Sequence, residues 1–364
     1  MRRLAILLGL ALAAVAGIVP EGAPVPPVGE AGGPRRPLTS AEEARFVRGR
    51  ALFDKDFFSK DGVGPFMNCD SCRACHQDPV IGGSGGIDVQ VQRPMLADGT
   101  SPPETGILAQ LKAVPGLRRE EIPPVLLVEE RNSPTLLGLG LIQDISEAAI
   151  LAREDPADAD ADGIKGIAHR LPGGQIGRFG WKANVPDLKS FVRDAMANEM
   201  GITSPPDPAN TFGTLADADP VQDPEIPAQD IDDIAFFMEM LAFPPRAPAT
   251  AQTQQGEQLF ASVGCAKCHV PSLDGVEAFT DVLLHDVQPL GFVGIAQGEA
   301  VSGLYRTPPL RGLAETAPYF HDGRSATVEE AVRRHAGEAL AVRQAFEALT
   351  PTERAALIAF LLGL

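Results

Sequence analysis

The chain has 364 residues, 44 % of them hydrophobic, which is enough for a sizeable core and fits two domains better than one. Its formal net charge of −17 at pH 7 argues against nucleic acid as a partner and is compatible with steering a basic protein. The 33 prolines and 37 glycines imply long irregular connections.

The first segment, MRRLAILLGLALAAVAGIVPEGA, joins Arg2 and Arg3 to the apolar run Leu4–Val19 and ends on small residues. That is the form of a secretory signal peptide over residues 1–23; a spanning helix needs about 20 apolar residues. The expectation is an exported, periplasmic protein with no membrane span after cleavage. Residues 24–39 are rich in Pro and Gly and read as a disordered lead. Ser40 to Glu43 reads as a capping box opening a helix through about Asp54. Next come NCDSCRACH, residues 68–76, and the glycine run GGSGG, which reads as a flexible loop. AQDIDDIAFFMEMLAF, residues 228–243, has helical periodicity, and FPPRAPAT breaks it. A second unit begins with a helix that leads into CAKCH. Capping boxes at Thr327–Glu330 and near Thr350 open two more helices. The expected fold is mainly α: two cytochrome c-like haem domains with long loops, residues 40–245 and 246–364.

The chemistry rests on a motif used twice. Cys72, Cys75 and His76 form one C-x-x-C-H; Cys265, Cys268 and His269 form the other. This is the pattern of c-type haem attachment. On a short helical turn, residues i, i+3 and i+4 share a face, so two thiols reach two vinyl groups and the imidazole reaches the iron. One four-cysteine zinc site or two redox disulfides would use the same cysteines, but would leave both histidines unexplained. The expected cofactors are therefore two covalently attached c-type haems. Cys69 has no histidine at the right offset and no partner cysteine, and reads as buried and inert, with a reactive thiol near the first haem as the lesser alternative. A second protein ligand on an iron makes an electron carrier, and an open position makes a catalyst. His169, His285, His321, His335 and Met67, Met95, Met196, Met200, Met238 and Met240 are candidates, and spacing does not choose among them.

Asp158, Asp160 and Asp162, before Gly163, begin a calcium-loop pattern, but the twelfth position is His169 instead of Glu. Calcium is one reading and a solvated acidic loop is the other.

YRTPPL, PYFHDGR and HAGEA in residues 305–339 resemble bacterial di-haem cytochrome c peroxidases. With FTDVLLHDV, GRFGWKA, RNSPTLLGLGL and NEMGI, the chain resembles more closely their di-haem oxidoreductase branch, sometimes labelled thiol oxidoreductase. The resemblance runs from about residue 45 to the end. It implies that His335, fourteen residues after His321, is the second ligand of haem 2 where the peroxidases have Met. It implies that Gln92 stands where they have the switchable histidine of haem 1, leaving that iron open unless His169 or Met95 substitutes. Glu199 matches the distal glutamate, and Trp181, the chain's one Trp, the residue between the haems. The distal glutamine is replaced near Phe191. The implied activity is reduction of hydrogen peroxide with a protein electron donor. A variant oxidises a protein partner's side chain with peroxide, and the contrasting reading is a non-enzymatic di-haem carrier.

Overall fold

The computed structural model describes residues 22–102, 108–114, 117–118 and 121–364. Nearly all of the expected signal peptide lies outside the described residues. Among them, no helix is long and apolar enough to cross a membrane.

The elements of the first part are α1 (Ser40–Asp54), β1 (Phe66–Met67), β2 (Val91–Met95), β3 (Lys112–Ala113), β4 (Leu127–Arg131), α2 (Leu139–Asp144), α3 (Glu147–Leu151), α4 (Leu188–Ala195) and α5 (Ala228–Met240). The second part holds α6 (Ala251–Val263), β5 (Leu284–Asp286), β6 (Leu304–Arg306), α7 (Val328–Arg334), α8 (Leu340–Ala348) and α9 (Pro351–Leu362). Strands occur only as antiparallel pairs among the described residues: β1 with β3, β2 with β4, β5 with β6. Helices and loops dominate the rest.

Each part closes the same way. Its first helix crosses its last, α1 on α5 and α6 on α9. At both crossings a glycine lets backbones touch. A Cβ on Gly49 would lie 1.9 Å from the Asp233 carbonyl oxygen, and one on Gly256 would lie 2.1 Å from that of Ala356. Gly49→Ala should therefore force α1 off α5 and cost about 1–3 kcal/mol, as overpacking does. Denaturant midpoints of the holoprotein check this, and an unchanged midpoint would mean the helices give way freely. Arg45 and Arg48 fix the same crossing on fully buried Asp233. The first core runs from Phe46 to Phe243 and also takes Leu273, Ala278, Val282 and Leu283 from beyond the linker. A second core gathers Phe260, Phe346, Leu357 and Phe360.

Three local expectations need correction. The N-cap of α1 is Thr39, whose hydroxyl accepts from Glu42 N, so the capping box starts one residue earlier than expected. Residues 24–39 are docked, not disordered. Arg35 N donates to Met240 O (2.6 Å), Ala242 N to Gly33 O (2.9 Å), and Arg50 reaches Ala23 O (2.6 Å). Prolines lower the entropy cost of ordering such a segment, and the exit of α5 supplies partners for its backbone. GGSGG is buried and not free. A Cβ on Gly85 would sit 2.5 Å from Cys75 O, and one on Gly83 2.2 Å from Asp78 O. The glycines permit backbone to pack on the cysteine motif.

Candidate haem sites

Each C-x-x-C-H forms a tight turn. His76 N donates to Cys72 O (3.1 Å), and His269 N to Cys265 O (3.0 Å). In the second motif, Gly264 ends α6 in the left-handed region at φ 105° and a 3₁₀ turn follows. In the second turn, two sulfurs and an imidazole line one cavity.

The three candidate iron ligands are prepared alike. His76 Nδ1 lies 3.2 Å from Gly83 O, His269 Nδ1 3.1 Å from Phe279 O, and His335 Nδ1 2.8 Å from Ala331 O. Donating Nδ1–H to a carbonyl leaves Nε2 as the lone-pair nitrogen, the arrangement that orients ligating histidines. Burial pushes His76 and His269 down to about 4 and lowers His335 as well, so all three are neutral at pH 7. His335 adds to the lowering at His269, and both rings line one cavity. A mostly apolar cavity is lined by Cys265, Cys268, His269 and, from the end of α7, His335. Thiols, paired neutral imidazoles and apolar walls fit a covalently held haem.

The surroundings of the first motif differ. The carboxylate of Glu199 is half-buried and its charge is felt at Cys75; it sits on a π-helical turn, Met196–Met200, that follows α4. Such turns recur at functional sites. Its main-chain oxygen accepts Asn68 N (2.7 Å) and Cys69 N (3.2 Å), which ties this turn to the cysteine segment. Asn68 Nδ2 donates to Glu199 Oε2 at 2.8 Å. Burial raises the Glu199 pKa above the usual carboxylate value, against the pull of Asn68 and of the Arg93 charge. Sequence reasoning missed Arg93 and Asn68; their one signal is their place beside Gln92 and Cys69. Cys69 is 5 % exposed, as a buried cysteine should be, and a hydrogen bond with the Cys75 sulfur together with burial pushes its thiol well up.

The other candidates are engaged elsewhere. His169 Nδ1 meets Lys182 O (2.7 Å), and its Nε2 edge packs on Gly298. His285 is held between Asp281 (2.9 Å) and Glu338 (3.2 Å), and those carboxylates raise its pKa well above the ordinary value despite burial. Met196, Met200, Met238 and Met240 belong to the first core, with Met67 packed against it, and Met95 is buried at the end of β2. His321 stacks on Tyr305, ring centroids 4.0 Å apart. Trp181 meets His321 edge-on at 6.5 Å, donates Nε1–H to Asn132 O (2.8 Å), and lines the second cavity.

The acidic loop does not assemble as expected. Asp158 and Asp160 converge with Asp155, while Asp162 turns to Lys267 of the second motif (3.0 Å). The expected trio is thus split, because the Lys267 ammonium competes for Asp162, and Asp155 spends its oxygens on Ala159 N.

The chain is 31 % identical over 83 residues to cytochrome c551 peroxidase of Nitrosomonas europaea, covering 21 % of this chain and 25 % of that protein. It is 33 % identical over 92 residues to cytochrome c peroxidase Ccp of Escherichia coli, covering 23 % and 20 %. The chain thus matches a quarter or less of the length of these relatives. Among solved structures, the diheme peroxidase BthA from Burkholderia thailandensis aligns over 91 % of this chain and 87 % of its own, at 15 % identity and a TM-score of 0.46. The family profile described as "Di-haem oxidoreductase, putative peroxidase" matches residues 123–364, well over half of the chain. With two C-x-x-C-H turns, one facing a second imidazole, this chain belongs to the di-haem oxidoreductase family.

Proposed function

We propose that the protein is an exported di-haem c-type enzyme that reduces hydrogen peroxide at the first motif and takes electrons from a protein partner through the second. Cys72 and Cys75, and Cys265 and Cys268, would form the thioethers. His76 would hold one iron, and His269 with His335 the other. When bound, the haems supply electron storage and a coordination position for peroxide.

The observation that carries this reading is the difference between the two motifs. His269 shares its cavity with His335, whereas the first motif has a half-buried carboxylate, Glu199, tied to its cysteine segment, and Gln92 stands where the resemblance places the switchable histidine. Glu199 can take a proton from one peroxide oxygen and return it to the other as the O–O bond breaks. Asn68 holds the carboxylate in place for that transfer. Burial of the site strengthens each of these contacts. Trp181, at the wall of the cavity that His269 lines, would pass electrons between the two haems.

Ferric EPR of the holoprotein tests this. One high-spin and one low-spin signal are expected, with peroxide consuming the high-spin one. Two low-spin signals indifferent to peroxide would make the protein a carrier.

A further inference from the structure

Beside Trp181 lies a group of side chains that neither haem ligation nor proton transfer at Glu199 uses. Tyr305 of β6 lies against His321, 23° from parallel, and both line the second cavity with Trp181. Phe292 closes on both rings, at 6.2 and 5.8 Å. The aromatic path from Trp181 through His321 thus ends on a phenol.

The hydroxyl of that phenol is buried with no hydrogen-bond partner among the described residues, and a carboxylate lies near it. A Cβ on Gly294 would lie 2.9 Å from Tyr305 Oη and 2.8 Å from Glu129 Oε2, so both oxygens press on the same glycine. Glu129 is held ready by Arg131 Nε (2.5 Å) and Ile295 N (2.5 Å). Lys182 Nζ stands 4.0 Å over the Tyr305 ring, anchored on Val301 O (2.9 Å) and Ser302 O (2.7 Å). Arg131, 5.9 Å from the centroid of the same ring, opposes positive charge there, while burial pushes Lys182 down to about 7. Loss of an electron from Tyr305 therefore favours loss of its proton too, and Glu129, against the same glycine, is the neighbouring carboxylate.

The chain's other tyrosine makes the contrast. Tyr319 donates its hydroxyl to Leu313 O at 2.5 Å, and a carbonyl is no base for a phenol proton.

We propose that Tyr305 is a redox-active residue, oxidised by one electron with its proton passing to Glu129. The proposal rests on the peroxide reading above. Hydrogen peroxide, two electrons and two protons give two waters. One electron would come from Tyr305 by way of His321 and Trp181 and the other from the bound haem pair, and both protons reach the peroxide from solvent through Glu199. Two electrons from the donor then close the cycle: one, with the proton returned by Glu129, restores the phenol, and the other replaces the one drawn from the haem pair.

With two tyrosines in the chain, the assignment is direct. In the Tyr319→Phe holoprotein, Tyr305 is the sole tyrosine, so ring-deuterated or 3-fluorotyrosine labels it alone. After freeze-quench with one equivalent of peroxide, an organic radical whose hyperfine pattern changes with the label is expected. Tyr305→Phe, which keeps the ring on His321, should drop it to background while the haem absorbance still responds to peroxide. A haem response with no label-sensitive radical, or the same radical in Tyr305→Phe, overturns the role of Tyr305 alone. No haem response in the wild-type holoprotein overturns the peroxide reading and this proposal with it. The 3-fluorotyrosine pattern needs no change at residue 305, so the test stands even if Tyr305→Phe fails to load haem.

Discussion

Glu199→Gln is expected to lower peroxide turnover about 10²–10⁴-fold, the range over which a positioned acid–base group acts. The argument is one of position and charge. Glu199 is half-buried and is linked to the cysteine segment by two main-chain bonds and by Asn68. Glutamine keeps the size and can still accept from Asn68, so the loss isolates the proton-accepting oxygen. The pH profile carries the sign. Only the ionised carboxylate takes a proton from peroxide, so turnover falls as pH drops through the pKa of Glu199. Burial raises that pKa above its ordinary 4.5, and the acid limb lies correspondingly higher. In Glu199→Gln this limb disappears. Stopped-flow peroxide kinetics across pH, with the haem spectrum as a check on folding, decide it. A variant that keeps both rate and limb would remove Glu199 from the chemistry.

The second large effect concerns His335. His335→Met should raise the potential of the second haem and leave the first unchanged. Met/His ligation favours the reduced iron, and axial ligands span about 0.8 V in all. The structure supplies the reason for expecting a strong response. His335 ends α7 with Nδ1 on Ala331 O, and its ring lines the cavity that holds Cys265, Cys268 and His269. Among the described residues, the other histidines lining this cavity are differently engaged: His285 is held by two carboxylates, and the His321 ring is stacked on Tyr305. His335→Ala should therefore turn the second haem high-spin. Spectroelectrochemistry and EPR measure both outcomes. An unaltered low-spin signal in His335→Ala would show that another residue holds that iron.

Local chemistry is legible in the amino-acid sequence. The capping boxes at Thr327 and Thr350 and the helix from residue 228 form as their residues imply, because caps and 3.6-residue periodicity act over a few positions. The glycine run and the Pro-rich lead depart from expectation for one reason: composition reports freedom of the isolated chain and says nothing of what packs on it. Asn68, Arg93 and Glu129 carry no motif, and Tyr305 is only one letter of YRTPPL. Each owes its setting to contacts from distant segments.

The sequence by itself determined that two C-x-x-C-H turns exist, since three positions on one turn place two thiols and an imidazole together whatever surrounds them. It also showed Cys69 to be the odd cysteine. Which distant residues neighbour each motif was decided only by tertiary structure. His335 joins His269 in one cavity from 66 residues away, and Glu199 reaches the cysteine segment from over a hundred residues away, on a turn held by Asn68. Contacts at that separation depend on how the helices cross and where the loops are pinned, which no short stretch of sequence records.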